Sequence, residues 1–318
     1  MPKMLLPLLL ALILLLSACV SVSVHWHPGN EDKKTGPVLE IQVLDKPEES
    51  TPATTAPAPT TDPPETTVPP TEAPTEPAPM YSEEELLKLS NDPITYGPGL
   101  AQDGNPAPYA PGAQELYGKY GAHFIEDAEN TIYLTFDCGY EYYLDGRSVT
   151  GMILDVLKEK GVKAVFFVTG DYVKNNPELV QRMLDEGHAL GNHSADHKQM
   201  PQLTLQEMEE QILSLHNTVK EKFGYSMKFF RPPDGAFSLR SLALTQKLGY
   251  ETVHWSFAYA DWNTADQPDP ANAKEKILSC HHDGAIYLLH AISATNAQVL
   301  GDVIDGLQAM GYRLGQMK

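Results

Sequence analysis

From residue 131 to the C-terminus the chain alternates short apolar runs with longer amphipathic ones, and this alternation limits the class of fold open to it. Apolar strands are expected over 131–136, 164–168, 188–191, 227–230, 252–255 and 285–289, with a last one at Tyr312. Between them, the helical period and the end signals place helices over 148–160, 177–186, 204–223, 239–248, 270–279 and 295–310. Asn176 reads as an N-cap, with Pro177 in the first turn of the helix it opens and Gly187 as its stop. About seven rounds of strand then helix imply an α/β chain with a parallel sheet covered by helices. No second break in composition interrupts 131–318, so one barrel is favoured over two open halves. In such folds the chemistry collects at the carboxyl ends of strands.

The first 130 residues read differently. Residues 5–16 are an apolar run interrupted by Pro7 and preceded by Lys3. About a dozen residues are too few to span a bilayer comfortably, but they fit the apolar region of a secretory signal. The run ends Leu16-Ser17-Ala18-Cys19, which resembles the lipobox of bacterial lipoproteins. That resemblance implies a signal peptide over 1–18, lipidation of Cys19 and anchorage at the outer face of the bacterial cytoplasmic membrane. A secreted protein with a chance cysteine is the plainer alternative. Residues 19–45 form an N-terminal segment, and 46–80 are rich in Pro and Thr, as in Thr51-Pro52-Ala53-Thr54-Thr55. So few large apolar side chains cannot offset the entropy of ordering, so this stretch is expected to be a disordered stalk of polyproline II character. At roughly 3 Å per residue it reaches on the order of 100 Å. Residues 81–130 are a lead-in to the domain over 131–318, with periodic sequence resuming at Ser82.

The formal net charge of -19 argues against nucleic acid as a partner, because phosphate contacts need a basic face. It also argues against electrostatic docking on anionic lipid; a solvated, repulsive surface is the plain account of so much acid. The three cysteines, Cys19, Cys138 and Cys280, are too few for a disulfide scaffold, and Cys138 and Cys280 are taken as unpaired.

The expected strand ends carry Asp137, the pair His193 and His197, Arg231, Asp261 with Trp262, and His290. Two histidines four apart fall on one side of a helical turn or tight loop, where they can grip a divalent ion. Most such pairs are surface or core histidines; the position directly after a strand favours the metal here. Asp137 follows an apolar run, and a buried carboxylate needs a cation or a cleft. Arg231 is a candidate partner, which leaves a structural ion pair or a catalytic one open. His290 ends the run Gly284-Ala285-Ile286-Tyr287-Leu288-Leu289. It is either a satisfied core group or an acid held and charged by Asp261.

Taken in order, Thr135-Phe136-Asp137-x-Gly139, His193-Ser194-x-x-His197, Arg231-Pro232-Pro233, Asp261-Trp262 and Leu288-Leu289-His290 resemble the motifs of the polysaccharide deacetylase family, the group with NodB homology. Tyr140-Glu141, Phe166-Phe167-Val168-Thr169-Gly170, Trp255-Ser256 and the lead-in Tyr117-Gly118-Lys119-Tyr120-Gly121 look like its delta-lactam-biosynthetic de-N-acetylases. The resemblance implies a distorted (β/α) barrel and hydrolysis of N-acetyl groups on a divalent metal, zinc first. His193 and His197 would hold the ion, and Asp137, oriented by Arg231, would be the general base. His290, tuned by Asp261, would protonate the leaving amine. The backbone N–H at Asp234 would help hold the oxyanion, and Trp262 and Leu288 would wall the acetyl pocket. The implied substrate is the cell-wall glycan peptidoglycan, at its muramic acid residues. N-acetylglucosamine or an exopolysaccharide is the alternative on the same fold, and a non-catalytic glycan-binding lipoprotein is the alternative of another class.

Two positions depart from the family pattern. Most members carry a second acid after the first, as the third metal ligand, where this chain has Cys138. Cys138 then binds zinc as a thiolate, or water fills the place, or the site is dead. Asp234 stands where many members have an aromatic residue.

Overall fold

The computed structural model describes residues 81–102 and 104–317 in full, together with the backbone of Val22–His25 and Glu40–Val43. Those two segments pair antiparallel, Val22 opposite Val43, within a unit of their own. The expected signal peptide, the lipidated Cys19 and the Pro/Thr stalk lie outside the described residues. Among the described residues no helix is long and apolar enough to cross a membrane.

The second unit is built on an all-parallel sheet. Its strands are β1 (Ala122–His123), β2 (Thr131–Cys138), β3 (Val165–Val168), β4 (Ala189–Asn192), β5 (Phe229–Phe230), β6 (Glu251–Val253), β7 (Ala285–His290) and β8 (Arg313–Gly315). They run in the order β7-β2-β3-β4-β5-β6-β1, and β8 pairs with the start of β2. The chain beyond β6 then turns onto β7. Phe257 bridges Tyr287, the Ser256 N–H donates to the Ile286 carbonyl at 2.9 Å, and the Leu288 N–H donates to the Phe257 carbonyl at 2.9 Å. The result is a distorted (β/α) barrel, closed by an irregular segment in place of a full strand.

Helices α1 (Glu83–Lys88) and α2 (Ala110–Tyr117) belong to the lead-in. Ser82 caps α1 through a reciprocal capping box with Glu85. The covering helices are α3 (Val149–Lys160), α4 (Gly170–Asn175), α5 (Pro177–Asp185), α6 (Leu205–Phe223), α7 (Leu239–Lys247), α8 (Pro270–Ser279) and α9 (Ala294–Ala309). Thr204 and Glu207 close a capping box on α6, and Ser148, Ser238, Asp269 and Ser293 cap their helices from the side chain.

Asn176 stands at the N-cap of α5 as expected, but it makes no side-chain cap bond; its Nδ2 donates back to the Tyr172 carbonyl at 3.3 Å. It closes α4, a short helix absent from the sequence expectation, which begins because the Thr169 hydroxyl accepts from the Tyr172 N–H at 3.2 Å.

The period of two along β2 sorts the interior into two parts. Ile132, Leu134, Phe136 and Cys138 join the core beneath the helices. Thr135 and Asp137 point into the barrel, whose own cluster includes Phe167, Phe229, Trp255, Ile286 and Leu288. In the helix-side core lies His254, fully buried and stacked on Phe124 at 4.4 Å, with Phe237 edge-on at 4.8 Å. Neither ring nitrogen has a hydrogen-bond partner. Burial, with the nearby Arg231 charge, lowers its pKa from 6.5 to about 3.

The native state therefore holds His254 neutral, whereas the unfolded chain protonates it below its ordinary value. Stability from this group is fully present above pH 6.5 and is lost as pH falls toward 3. At pH 5 the loss is about 2 kcal/mol for this residue. His254→Leu should lose that much less stability than the parent between pH 8 and 5, read from urea midpoints. Equal losses in both proteins would sink the assignment.

Candidate active site

Asp137, His193, His197, Asp234, Trp262, Leu288 and His290 all line one cavity of about 630 Å³ at the carboxyl ends of the strands. No Lys or Arg is among its lining residues, although Asp171 and Asp196 join Asp137 and Asp234 there.

Behind this cavity Arg231 is completely buried. Its Nη1 donates to Asp137 Oδ1 at 2.8 Å, and its Nη2 donates to the Thr135 hydroxyl at 2.9 Å and the His254 carbonyl at 3.0 Å. Its Nε donates to the Val253 carbonyl at 3.0 Å, and the guanidinium lies over the Phe167 ring at 4.1 Å. Burial alone would raise the Asp137 pKa, but the charge and hydrogen bond of Arg231, with the charge of His290, outweigh it and hold the carboxyl below its ordinary value. Asp137 is an ionised carboxylate with one oxygen tied to Arg231 and the other turned toward His193.

His193 is held from behind by the Arg231 main chain, its Nδ1 lying 2.9 Å from the Arg231 carbonyl. That contact assigns the proton to Nδ1 and leaves the Nε2 lone pair 3.4 Å from Asp137 Oδ2. Burial lowers the His193 pKa to about 4, so the ring is neutral. Two acceptor atoms thus face each other with no proton between them, an arrangement satisfied by a cation or a water proton. The His197 ring stands 4.8 Å from the His193 ring, centroid to centroid. The turn joining them is a tight loop, with Ser194 and His197 both at positive φ. The donor set fits a divalent ion of the zinc class, held by His193 and His197 with positions left for oxygen ligands.

Cys138, offered above as a third ligand, does not join them. It is fully buried in the helix-side core, on the opposite face of β2 from Asp137. Burial, then the Asp137 and Glu141 carboxylates, drive its pKa well above the ordinary thiol value. Without an ion the group is a protonated thiol, and its place among the helix-side core residues keeps it away from the two imidazoles. Among the described residues no group of three or more His, Cys, Asp or Glu side chains is placed to hold a metal. Cys138 and Cys280 are both free.

On the adjacent strand, where His290 pairs with Asp137, His290 Nδ1 meets Asp261 Oδ1 at 2.6 Å, and the His290 N–H donates to Asp261 Oδ2 at 2.8 Å. Burial would lower the His290 pKa; the hydrogen bond and charge of Asp261, with Asp137 beyond, raise it instead. Asp261 is itself fully buried, accepting from Asn296 Nδ2 at 2.6 Å, while Gln267 donates to its carbonyl at 2.9 Å. The Trp262 ring lies 5.9 Å from the His290 ring. Asp234 sits at φ 55° in a turn closed by the Gly235 N–H on the Pro232 carbonyl at 3.0 Å. Gly235 is at φ 63°, and a Cβ there would lie 2.6 Å from Trp255, so no side chain fits. Gln199 fixes the Asp234 carboxylate at 2.9 Å.

Sequence reasoning missed Thr135, Asn296 and Gln267. Thr135 had a signal: it is polar, two before Asp137, on the inward face of an apolar strand. Asn296 and Gln267 had none, since nothing in their neighbourhood along the chain marks them.

The profile of the family described as polysaccharide deacetylase matches residues 125–253. Peptidoglycan-N-acetylmuramic acid deacetylase PdaA of Bacillus subtilis is 39% identical over 224 residues, covering 70% of this chain and 83% of PdaA. The chain belongs to the polysaccharide deacetylase family. An uncharacterised 30.6 kDa protein of Geobacillus stearothermophilus is 41% identical over 228 residues, with the same coverage of 70% and 83%. The solved structure of B. subtilis PdaA, a family 4 carbohydrate esterase, matches with a TM-score of 0.66 at 38% identity, over 71% of this chain and 95% of that one.

For this member of the family the buried pair gives a stability prediction. Arg231→Met leaves Asp137 buried without its cation and should cost about 3 kcal/mol at neutral pH, measured by urea unfolding. A loss below about 1 kcal/mol would contradict the geometry. For the ion, His193→Ala should abolish bound zinc after dialysis, whereas Cys138→Ala should leave the metal content unchanged. Loss of zinc from Cys138→Ala would reinstate the thiol as a ligand.

Proposed function

We propose that the chain hydrolyses N-acetyl groups of peptidoglycan amino sugars, at muramic acid residues, as a metal-dependent de-N-acetylase. The observation that carries this is the meeting of two charged pairs, Asp137–Arg231 and Asp261–His290, at the paired ends of adjacent strands in a cavity that also holds two imidazoles. A carboxylate kept ionised and a histidine kept protonated are the base and acid that amide hydrolysis needs. The similarity to PdaA supports the choice of sugar.

In this reading Asp137 accepts a proton from the attacking water while Arg231 keeps the carboxylate oriented. The water oxygen bonds to the amide carbon, and the backbone N–H at Asp234 steadies the charge on the former carbonyl oxygen. His290 gives its Nε2 proton to the nitrogen as the C–N bond breaks, and Asp261 stabilises the imidazolium until then. Trp262 and Leu288 confine the acetyl methyl. A divalent ion such as zinc would be held by His193 and His197, and when bound would supply Lewis-acid polarisation of the carbonyl and a more acidic water. A signal peptide, lipidation at Cys19 and the Pro/Thr stalk would put the domain outside the cytoplasmic membrane, within reach of the wall.

Acetate release from intact peptidoglycan and from chains stripped of stem peptides by an amidase tests the reading. Release from the stripped chains alone supports the muramic acid assignment. Release from intact wall as well points to N-acetylglucosamine. No release with any added divalent ion, while glycan binding persists, would make this a binding protein.

The pH profile tests the acid. Activity requires ionised Asp137 and protonated His290, so it spans a plateau whose basic limb lies above the ordinary imidazole value. Asp261→Asn removes the charge that raises His290, leaving burial to lower it. The basic limb should move to lower pH, with kcat down roughly 100-fold at neutral pH. An unmoved limb would show that His290 is not the acid.

A further inference from the structure

Among the described residues the exposed large aromatic side chains are Tyr109, Tyr140, Tyr143 and Trp262, and of these Tyr140 and Trp262 line the cavity. Tyr140 is 54% exposed. Leaving so much aromatic surface in water forgoes favourable burial, so what holds it out is informative.

The chain on either side of Tyr140 is pinned. On one side the Thr169 N–H donates to the Cys138 carbonyl at 3.1 Å, and the Thr169 hydroxyl donates to the Gly139 carbonyl at 3.1 Å. On the other, Glu141 turns inward and accepts from the Thr150 N–H and the Ser148 hydroxyl at 3.1 Å each, and from the Tyr172 hydroxyl at 2.9 Å. The Val149 N–H then donates to the Tyr142 carbonyl at 3.0 Å, below a hairpin of Tyr143–Leu144 with Arg147–Ser148. A residue between two such anchors has little freedom to fold back, and its ring stays at the cavity wall.

Its place around the barrel matters as much. His290 ends β7, which lies between β2, the strand leading to Tyr140, and the segment after β6, which leads to Trp262. The two aromatics therefore follow segments on either side of the strand that carries the candidate acid, and both line the cavity. The lining holds no Lys or Arg to grip an anionic group. A neutral ring whose C–H face meets the negative face of an aromatic is the chemistry this wall offers.

We propose that Tyr140 is a specificity residue that stacks on a sugar next to the one losing its acetyl group, displayed for that purpose by Glu141. The proposal rests on the deacetylase reading above and adds chain-length selection to it. Tyr140→Ala should raise KM for stem-peptide-free glycan chains about tenfold with kcat within twofold. KM for a disaccharide cut from the same chains should change far less. Tyr140→Phe should restore the long-chain KM. An unchanged long-chain KM in Tyr140→Ala, or an equal loss in Tyr140→Phe, would overturn the proposal. If the parent releases no acetate from any glycan, the deacetylase reading fails by itself. Tryptophan-fluorescence titration with the same chains then decides: a tenfold weaker Kd in Tyr140→Ala keeps the stacking role, and an equal Kd removes it.

Discussion

A guanidinium buried in the middle of a barrel must place its N–H donors without water; four of the five are met here by groups of this chain, and the upper half of the structure is arranged around them. Arg231 reaches the Asp137 carboxylate, the Thr135 hydroxyl and the carbonyls of Val253 and His254, which brings together β2, the end of β5 and the chain leaving β6. Desolvating such an ion costs several kcal/mol unless its charge is paired and its donors find partners, so these segments cannot shift independently. The same residue holds His193 through its main-chain carbonyl. One arginine thereby positions the candidate base with its side chain and a candidate metal ligand with its backbone.

The second charged pair is built the opposite way round. In Asp137–Arg231 the cation is sealed and the carboxylate faces the cavity; in Asp261–His290 the carboxylate is sealed and the imidazole faces the cavity. The segment following β6 serves both. Val253 and His254 give carbonyls to Arg231, Phe257 closes the barrel on β7, and Asp261 then charges His290. Closing the barrel and polarising the acid are thus one structural event. That is why an irregular stretch stands where a regular barrel would have another long strand.

Much of this was legible in the chain. The alternation after residue 131 gave the parallel barrel, and the strand-end residues Asp137, His193, His197, Arg231 and His290 do converge. The parts that were not legible share a physical cause, dependence on contacts distant in sequence. Asn176 takes the N-cap position that local rules favour, yet its side chain turns back to Tyr172 once Thr169 has started a helix just before it. Asn296 lies 35 residues from the aspartate it binds, and no local pattern distinguishes it from any polar residue in a helix's first turn.

Cys138 shows what a motif alone leaves undetermined. Strand geometry sends successive side chains to opposite faces, and in β2 that parity is set by Ile132, Leu134 and Phe136, which fill the core beneath the helices. Asp137 must then face the barrel, and its neighbour must face away for as long as the strand stays regular. β2 stays regular through Cys138, which pairs with Val168. A carboxylate at this position would need either a local break in the strand or a partner in an apolar core; a thiol needs neither, and packs as a small hydrophobe. The cysteine is therefore consistent with β2 running one residue further than a ligand at that position would allow. The candidate ion is left to two imidazoles, with Asp137 facing it as the remaining acidic group.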